Sequence, residues 1–298
     1  MSAAVDLAPF RAEYPFAARR LALPGGEMSY LDEGPRTAPA LLCLHGNPTW
    51  SFYYRRIVQA FSKDHRVVAP DHLGCGLSDK PQDFEYTLAH HIDHLERLVL
   101  ELDLRDLTLV LHDWGGAIGM GFALRHPDRV KRFVIFNTAA FPAARIPFSI
   151  DICRIPGFGA VMIRGFNGFA QVALIRALHH RERLTPAIRA GYLAPYAGWA
   201  NRVAHLRFVQ DIPMQTSHPS YALLDQIGQG LARFAGHPML IVWGARDFCF
   251  DDSFLAEWRR RFPSAQVERI EDAGHYVVED AIDRILPLMR AFLSAAER

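Results

Sequence analysis

The sequence predicts an α/β protein with a mostly parallel sheet, helices on both faces of that sheet and an inserted helical cap. Five apolar runs of strand length, each followed by helix-like sequence, predict the sheet: ALLCLHG, HRVVAPD, LTLVLHD, VKRFVIFN and PMLIVWG. Near-continuous apolar runs are typical of parallel strands that are buried on both faces. The alternation of strand and helix stops between about Phe141 and Ser220, where Gly and Pro interrupt several helical stretches. This irregular region predicts the cap.

The remaining elements complete the sheet and set the domain limits. The stretch RRLALPGGEMSYLDEG precedes the first apolar run, alternates more strongly and is broken by Pro-Gly-Gly. This pattern predicts an antiparallel hairpin at the edge of the sheet. We therefore predict one core domain, formed by residues 1–140 and 221–298, and a helical cap formed by residues 141–220.

Composition excludes several classes of function. The chain has 298 residues, of which 50% are hydrophobic, and its 33 basic side chains nearly balance its 32 acidic ones. Because no basic run with interleaved aromatic residues occurs, a nucleic-acid partner is not expected. No stretch approaches the roughly 18 apolar residues of a transmembrane segment, and the N-terminus lacks the apolar region of a secretory signal. The sequence therefore predicts a cytoplasmic protein with no transmembrane segment.

Disulfides, metal sites and cofactors are not expected either. The four cysteines lack C-x-x-C spacing, which predicts free or buried thiols in a reducing compartment. His90, His91 and His94 lie close together in the sequence, but only two of them share a helix face, and no cysteine or acid completes a ligand set. We interpret these histidines as a surface or structural cluster.

An aspartate occupies the turn between a predicted strand and a predicted helix in the middle of the chain. The segment LTLVLHDWGGAIG ends its apolar run at Asp113 and continues as a helix after Gly115 and Gly116. A strand–turn–helix of this kind holds the turn side chain over the carboxyl end of the sheet, as a nucleophile elbow does. A carboxylate needs no base to deprotonate it and attacks saturated carbon to form an alkyl ester. The alternative is that Asp113 only caps the helix.

Two further residues complete a candidate catalytic triad. Asp247 follows the strand-like run that ends at Gly244, and His275 follows a glycine just before the last predicted helix. The order Asp113, Asp247, His275 is nucleophile, acid and base, which is the chain order of the α/β-hydrolase fold. Each residue alone is an ordinary turn or loop residue, but three coincidences at strand ends favour the triad.

Two hydrogen-bond donors are expected beside the nucleophile. Asn47 follows His45 and Gly46, in the loop where an α/β-hydrolase places an oxyanion-hole amide. The Asn47 amide and the Trp114 indole N–H are both donors and are expected to converge on an anion that leaves from carbon. The alternatives are a turn asparagine ahead of Pro48 and a packed aromatic ring.

The motifs HGNPTWSFYYR, APDHLGCGLSDKP and LHDWGGAIG, with the predicted acid and base, resemble the haloalkane dehalogenases of the α/β-hydrolase superfamily over nearly the whole chain outside the cap. The resemblance implies that Asp113 attacks carbon while the two donors hold the leaving halide. It also implies that His275 activates the water that hydrolyses the ester. Members of this family differ in the position of the triad acid, and because Asn137 ends the FVIFN strand, Asp247 is the expected acid.

Within that superfamily, TWSFYYR, DHLGCGLSDKP and WGARDFCF resemble the β-lactone decarboxylases of bacterial long-chain olefin biosynthesis still more closely. The resemblance implies conversion of a long-chain, hydrophobic cis-3-alkyl-4-alkyl-oxetan-2-one to a cis-alkene and carbon dioxide. It also implies a complex with the β-lactone synthetase and the reductase of the same pathway. The apolar stretch from Ile150 to His179 is a candidate contact with a partner or a lipid surface. Five cap residues are candidates for lining a slot for two alkyl chains, although plain core is their commoner role: Phe141, Phe148, Phe158, Phe166 and Phe169.

The residues leave two lactone routes and three other functions open. Attack of Asp113 at the β carbon gives a carboxylate leaving group, and anti elimination of carbon dioxide then yields the cis-alkene. Attack at the carbonyl gives a mixed anhydride instead. The runner-up function is a haloalkane dehalogenase with an alkyl-aspartate intermediate. Less favoured are a non-catalytic binding protein and an epoxide hydrolase, which needs cap tyrosines such as Tyr192, Tyr196 or Tyr221.

Overall fold

The computed structural model describes residues 5–295, which fold around an eight-stranded sheet. The strands are β1 (Arg19–Leu23), β2 (Gly26–Glu33), β3 (Ala40–Leu44), β4 (Arg66–Pro70), β5 (Leu107–Asp113), β6 (Val130–Thr138), β7 (Met239–Gly244) and β8 (Gln266–Ile270). Their order across the sheet is β1-β2-β4-β3-β5-β6-β7-β8. Only the pairs β1/β2 and β2/β4 are antiparallel among the described strands. The predicted mostly parallel sheet with a hairpin at its edge is therefore confirmed.

The five apolar runs form the central strands β3 to β7. Side chains alternate between two hydrophobic clusters along each strand, so that Leu42 and Leu44 face one cluster while Leu41 and Cys43 face the other. This double burial explains why the runs show no polar alternation. The sequence does not predict β8, whose residues alternate between exposed and partly buried positions at the other edge of the sheet.

Helices cover both faces of the sheet. Those described are α1 (Arg55–Phe61), α2 (Leu88–Glu101), α3 (Trp114–Arg125), α4 (Phe148–Asp151), α5 (Gly168–Arg176), α6 (Pro186–Leu193), α7 (Val203–Gln210), α8 (Tyr221–Gly230), α9 (Asp252–Arg261) and α10 (Val277–Ala295). Helices α2, α3, α8 and α9 pack on one face, and α1 and α10 pack on the other. None of the helices in residues 5–295 has the length and hydropathy needed to cross a membrane.

The chain between β6 and α8 is helical and lies over the carboxyl ends of the strands. It contains α4 to α7, several 3-10 turns and a π-helical segment, Ala160–Gly165, and no strand among its described residues. Two buried carboxylates tie it to the core: Asp211 accepts from the Leu88 amide at 2.7 Å, and Asp280 accepts from the His179 and His180 amides at 2.9 Å. The domain limits at residues 141 and 220 stay a prediction.

Candidate active site

The turn that follows β5 holds Asp113 in a strained backbone conformation. Its φ of 51° and ψ of −127° lie where residues with a side chain are rarely found. Gly115 lets α3 begin close to β3, since a Cβ there would lie 2.0 Å from the Leu44 carbonyl oxygen. The Thr138 hydroxyl supports the turn by donating to the Asp113 carbonyl oxygen. This is the sharp strand-to-helix turn that the sequence predicts.

The Asp113 carboxylate is buried, and its two oxygens have different surroundings. Oδ1 accepts a hydrogen bond from the Asn47 backbone N–H at 2.7 Å, and the Trp114 backbone N–H also donates to the carboxylate. Oδ2 lies 3.7 Å from Nε2 of His275. Burial raises the pKa of Asp113 above its ordinary value, although His275 and the two amides oppose this shift. Within the described residues the Asp113 side chain makes no N-cap hydrogen bond into the first turn of α3. Its amide contact with that helix is to the first residue, Trp114, so the side chain does not act as the predicted helix cap.

His275 lies in the loop between β8 and α10 and is oriented from two sides. Its Nδ1–H donates to Oδ2 of Asp247 at 2.8 Å, and Oδ1 of Asp247 accepts from the Cys249 amide at 2.6 Å. The Phe250 ring stacks on the imidazole with a centroid distance of 5.7 Å. Burial lowers the pKa of His275, but the Asp247 and Asp113 carboxylates raise it, and the resulting direction is upward. The structure thus brings together the three residues that the sequence assigns to a triad.

The two predicted donors border the same cavity as Asp113. Asn47 donates through Nδ2 to the His205 backbone oxygen at 3.1 Å, which leaves its second amide hydrogen for a ligand. Trp114 is partly exposed and packs on the Phe208 ring, with a centroid distance of 5.3 Å. Both side chains border the cavity that contains Asp113, and their role as donors to a leaving anion stays a prediction.

A cavity of about 450 Å³ opens above Asp113 and is lined almost entirely by apolar side chains. Its polar lining near the floor consists of Asp113, His275, Asn47 and Trp114. Four of the five cap phenylalanines that the sequence proposes line the cavity: Phe141, Phe148, Phe158 and Phe169. The prediction is wrong for Phe166, which projects away from the cavity and is 71% exposed.

The tyrosines that an epoxide hydrolase would need do not reach the cavity. The hydroxyl of Tyr192 donates to the Glu279 carboxylate at 2.6 Å, and that of Tyr196 donates to the Thr49 carbonyl oxygen at 3.2 Å. Among the described residues no tyrosine lines the cavity. A cap tyrosine is therefore not placed to act as the acid that opens an epoxide.

The other candidate polar residues have structural surroundings. Asn137 joins β6 to β7, since its amide exchanges two hydrogen bonds with the Gly244 backbone at 2.7 and 3.0 Å. His91 stacks on Phe208, and the His94 imidazole bonds to the Pro24 carbonyl oxygen at 3.1 Å. Both histidines are buried, which favours the structural interpretation of that cluster. Within residues 5–295 no group of three His, Cys, Asp or Glu side chains is arranged to hold a metal.

Sequence reasoning missed two residues that position the loop of His275. His112, one residue before Asp113, is fully buried, and its Nε2–H donates to the His275 carbonyl oxygen at 2.9 Å. Asp280, at the start of α10, accepts from the Gly274 amide at 2.7 Å in addition to the two cap amides. His112 was visible in the sequence as a polar residue in an otherwise apolar strand. No local pattern marks Asp280, because two of its three partner amides belong to residues about 100 positions away.

Comparison with known proteins places the chain in a family. A family profile of the α/β-hydrolase fold matches residues 39–282. A cis-3-alkyl-4-alkyloxetan-2-one decarboxylase of Shewanella oneidensis is 45% identical, with coverage of 95% of this chain and 90% of that protein. A protein of the same name from Xanthomonas campestris pv. campestris is 44% identical, with coverage of 94% and 97%. Haloalkane dehalogenase 2 of Mycobacterium tuberculosis is 33% identical, with coverage of 94% and 96%.

Solved structures agree with this placement. Haloalkane dehalogenase DbeA from Bradyrhizobium elkanii superposes with a TM-score of 0.82 at 27% identity, covering 94% of this chain and 99% of that one. Haloalkane dehalogenase DatA from Agrobacterium tumefaciens superposes with a TM-score of 0.84 at 25% identity, covering 94% and 97%. Both resemblances read from the motifs are thereby confirmed. The chain belongs to the α/β-hydrolase family, in the branch that contains the cis-3-alkyl-4-alkyloxetan-2-one decarboxylases and the haloalkane dehalogenases.

Proposed function

We propose that this protein is a β-lactone decarboxylase that converts a cis-3-alkyl-4-alkyloxetan-2-one to a cis-alkene and carbon dioxide, with Asp113 as the nucleophile. The observation that carries the proposal is the Asp113 carboxylate at the floor of an apolar cavity of about 450 Å³, with Oδ1 held by an amide and Oδ2 facing His275. Relatives that are named for this reaction share 45% and 44% of the sequence. A substrate with two long alkyl chains suits this lining.

In the first step, Oδ2 of Asp113 attacks the β carbon of the lactone from the side opposite to the ring oxygen. The new bond joins Oδ2 to that carbon, the bond between carbon and ring oxygen breaks, and its electron pair leaves on a carboxylate. Relief of ring strain drives the displacement. In this proposal Asn47 and Trp114 donate to the carboxylate, as they would to a halide, and the fact that both line the cavity supports this role.

In the second step, the alkyl ester and the carboxylate are lost together. The electron pair between the α carbon and the carboxylate becomes the π bond, carbon dioxide departs, and the ester oxygen leaves as the regenerated Asp113 carboxylate. Inversion followed by anti elimination equals an overall syn loss, so a cis lactone gives a cis-alkene. The two steps consume no water and need no proton transfer.

His275 acts in this route by its charge. Because Asp247 and Asp113 raise its pKa, the imidazole keeps its proton to a higher pH than an ordinary histidine does. When the imidazole is protonated, its positive charge favours the ionised form of Asp113 and stabilises negative charge in the apolar cavity. In a dehalogenase His275 would instead act as a general base, and it would have to be unprotonated to activate water.

The alternative function, a haloalkane dehalogenase, would use the same Asp113 and the same donors. The two functions are therefore distinguished by the products that the enzyme forms. A long-chain cis-β-lactone and a 1-haloalkane are offered separately to one enzyme preparation, and alkene and halide are measured. The proposal expects cis-alkene from the lactone. Halide release without alkene formation would assign the protein to the dehalogenases.

Isotope labelling separates attack at the β carbon from attack at the carbonyl. Turnover of the lactone in heavy-oxygen water should leave the Asp113 peptide unlabelled, because the alkene departs without hydrolysis. A mixed anhydride is opened by water, which places solvent oxygen in Asp113 or in the released carbon dioxide. A labelled Asp113 peptide would therefore reject the displacement route.

The wider setting of the reaction follows from its substrate. We propose that the enzyme acts in long-chain olefin biosynthesis, in the cytoplasm, and in a complex with the β-lactone synthetase and the reductase of that pathway. Four free thiols, two of them buried, suit a reducing compartment. Co-purification of tagged enzyme with the synthetase, and cell fractionation, test these proposals separately from the chemistry.

A further inference from the structure

The cap carries an exposed apolar surface of a kind that the core does not have. Of the ten large hydrophobic residues that are exposed in the described chain, nine lie in the cap, and the tenth is Leu100 on α2. We call these nine residues the apolar cap surface: Phe148, Ile155, Phe158, Val161, Met162, Phe166, Val172, Ile175 and Trp199. Scattered single residues need no explanation, but a concentration of this size in one region indicates a binding surface.

The apolar cap surface is continuous with the cavity above the nucleophile. Phe148, Phe158, Met162 and Val172 are exposed to solvent and also line the cavity. Phe148 is the extreme case, with 79% of its surface exposed. The mouth of the cavity therefore opens within the apolar cap surface.

The charged side chains of the cap are mostly positive. The cap, residues 141–220, contains nine arginines, no lysine and three acidic residues, which gives it a net charge of +6 and leaves the rest of the chain at −5. Within residues 148–176 the cations Arg154, Arg164 and Arg176 face a single acid, Asp151. The Arg164 guanidinium lies 4.7 Å from the ring centroid of Trp199, which joins a cation to the edge of the apolar surface.

We propose that the apolar cap surface docks onto an anionic lipid membrane and that the cavity mouth exchanges alkyl chains with that membrane. Exposed Phe, Ile and Trp side chains flanked by arginines match the acyl and headgroup layers of an anionic bilayer. A second copy of the chain fits this surface poorly, because a self-contact would bring the two arginine sets together. The exchange of alkyl chains rests on the proposed function, since a dialkyl lactone and its alkene both partition into lipid.

Vesicle binding tests the docking without reference to turnover. Wild-type enzyme is mixed with vesicles of phosphatidylcholine with or without phosphatidylglycerol, and the bound fraction is measured by co-sedimentation. We expect binding to the vesicles that contain phosphatidylglycerol, and weaker binding at high salt or without the anionic lipid. Absence of binding to every vesicle would overturn the proposal.

A matched pair of variants locates the contact. The triple variant Ile155→Ser, Phe166→Ser and Ile175→Ser removes apolar surface without touching the cavity lining, and Leu100→Ser does the same on the core. The triple variant should bind the vesicles at least roughly tenfold more weakly, because it loses three apolar anchors. Leu100→Ser should bind like wild type. Equal binding by the triple variant and wild type would overturn the proposal.

Turnover of a short-chain, water-soluble cis-lactone separates this proposal from the proposed function. Both variants should form alkene at the wild-type rate and show the wild-type circular dichroism spectrum. If no lactone is turned over but the vesicle results hold, the proposed function fails and the docking surface stands. If the variants lose binding to a partner protein while wild type binds no vesicle, the surface is a protein interface and the lipid proposal is rejected.

Discussion

Gly46 lies against Asp113 at a position where any side chain would collide with the Asp113 carboxylate. A Cβ on Gly46 would be 1.9 Å from Oδ1 of Asp113. Gly46→Ala should therefore displace the Asp113 carboxylate or the Asn47 amide that binds it. We expect alkene formation to fall by at least roughly 100-fold, the scale of a misplaced reacting group. Steady-state kinetics measure the loss.

Gly236→Ala is the matched control, since a Cβ at that glycine meets no atom within 4 Å. Its activity and stability should remain near those of wild type. Wild-type activity in Gly46→Ala would contradict this prediction, because it would show that the reaction does not require the Asp113 carboxylate in its observed position.

The charge state of His275 depends on Asp247. The Asp247 carboxylate accepts from Nδ1 of His275 and is the main influence that raises the His275 pKa against burial. Asp247→Asn removes that negative charge, so the pKa of His275 should fall and the imidazole should lose its proton at a lower pH than in wild type. NMR titration of labelled histidine measures the shift.

Asp272→Asn provides the control for this titration. Asp272 bonds to His180 near the surface rather than to His275. Its replacement should leave the His275 titration unchanged. An unchanged or raised pKa in Asp247→Asn would contradict the assignment of Asp247 as the triad acid.

At the scale of elements, the first turn of α10 holds the catalytic loop and the cap together. The Asp280 carboxylate accepts three backbone amides, from Gly274 in the loop and from His179 and His180 in the cap. Asp280→Ala leaves these amides without their partner. We expect a loss of about 3 kcal/mol or more in the free energy of unfolding, together with reduced turnover because His275 follows Gly274. Urea denaturation measures the stability.

Asp283→Ala lies on the same helix and is the matched control. Its carboxylate makes a surface ion pair with Arg183 at 3.0 Å. Such pairs are worth about 1 kcal/mol or less, so stability should change little. Equal losses in the two variants would mean that the Asp280 amide contacts do not anchor the loop.

The elements that the sequence predicts are those with a local signal. Strands β3 to β7 are visible because both of their faces are buried, and Asp113 is visible because a polar residue ends such a strand. The edge strand β8 has no such signal, because its charged and exposed residues are equally typical of a loop. Only its pairing with β7 in the folded chain makes it a strand. The amide contacts of Asp280 and the outward direction of Phe166 depend on tertiary packing, which no window of the sequence contains.

Across the whole molecule, the two halves of the site come from different parts of the chain and perform different tasks. The core supplies the charged groups: Asp113 at the end of β5, Asp247 after β7 and His275 after β8. The helical segment above supplies most of the apolar cavity wall. This division explains why the motifs of the core identify the chemistry, whereas the shape of the cavity appears only in the folded chain.

The central claim is that Asp113 turns a cis-β-lactone into an alkene rather than hydrolysing it. Product analysis by gas chromatography and mass spectrometry, with wild type and Asp113→Asn side by side, tests it most directly. Wild type should give cis-alkene and carbon dioxide in equal amounts, and the folded Asp113→Asn variant should give neither. Formation of the β-hydroxy acid by wild type, or alkene formation by Asp113→Asn at the wild-type rate, would contradict the claim.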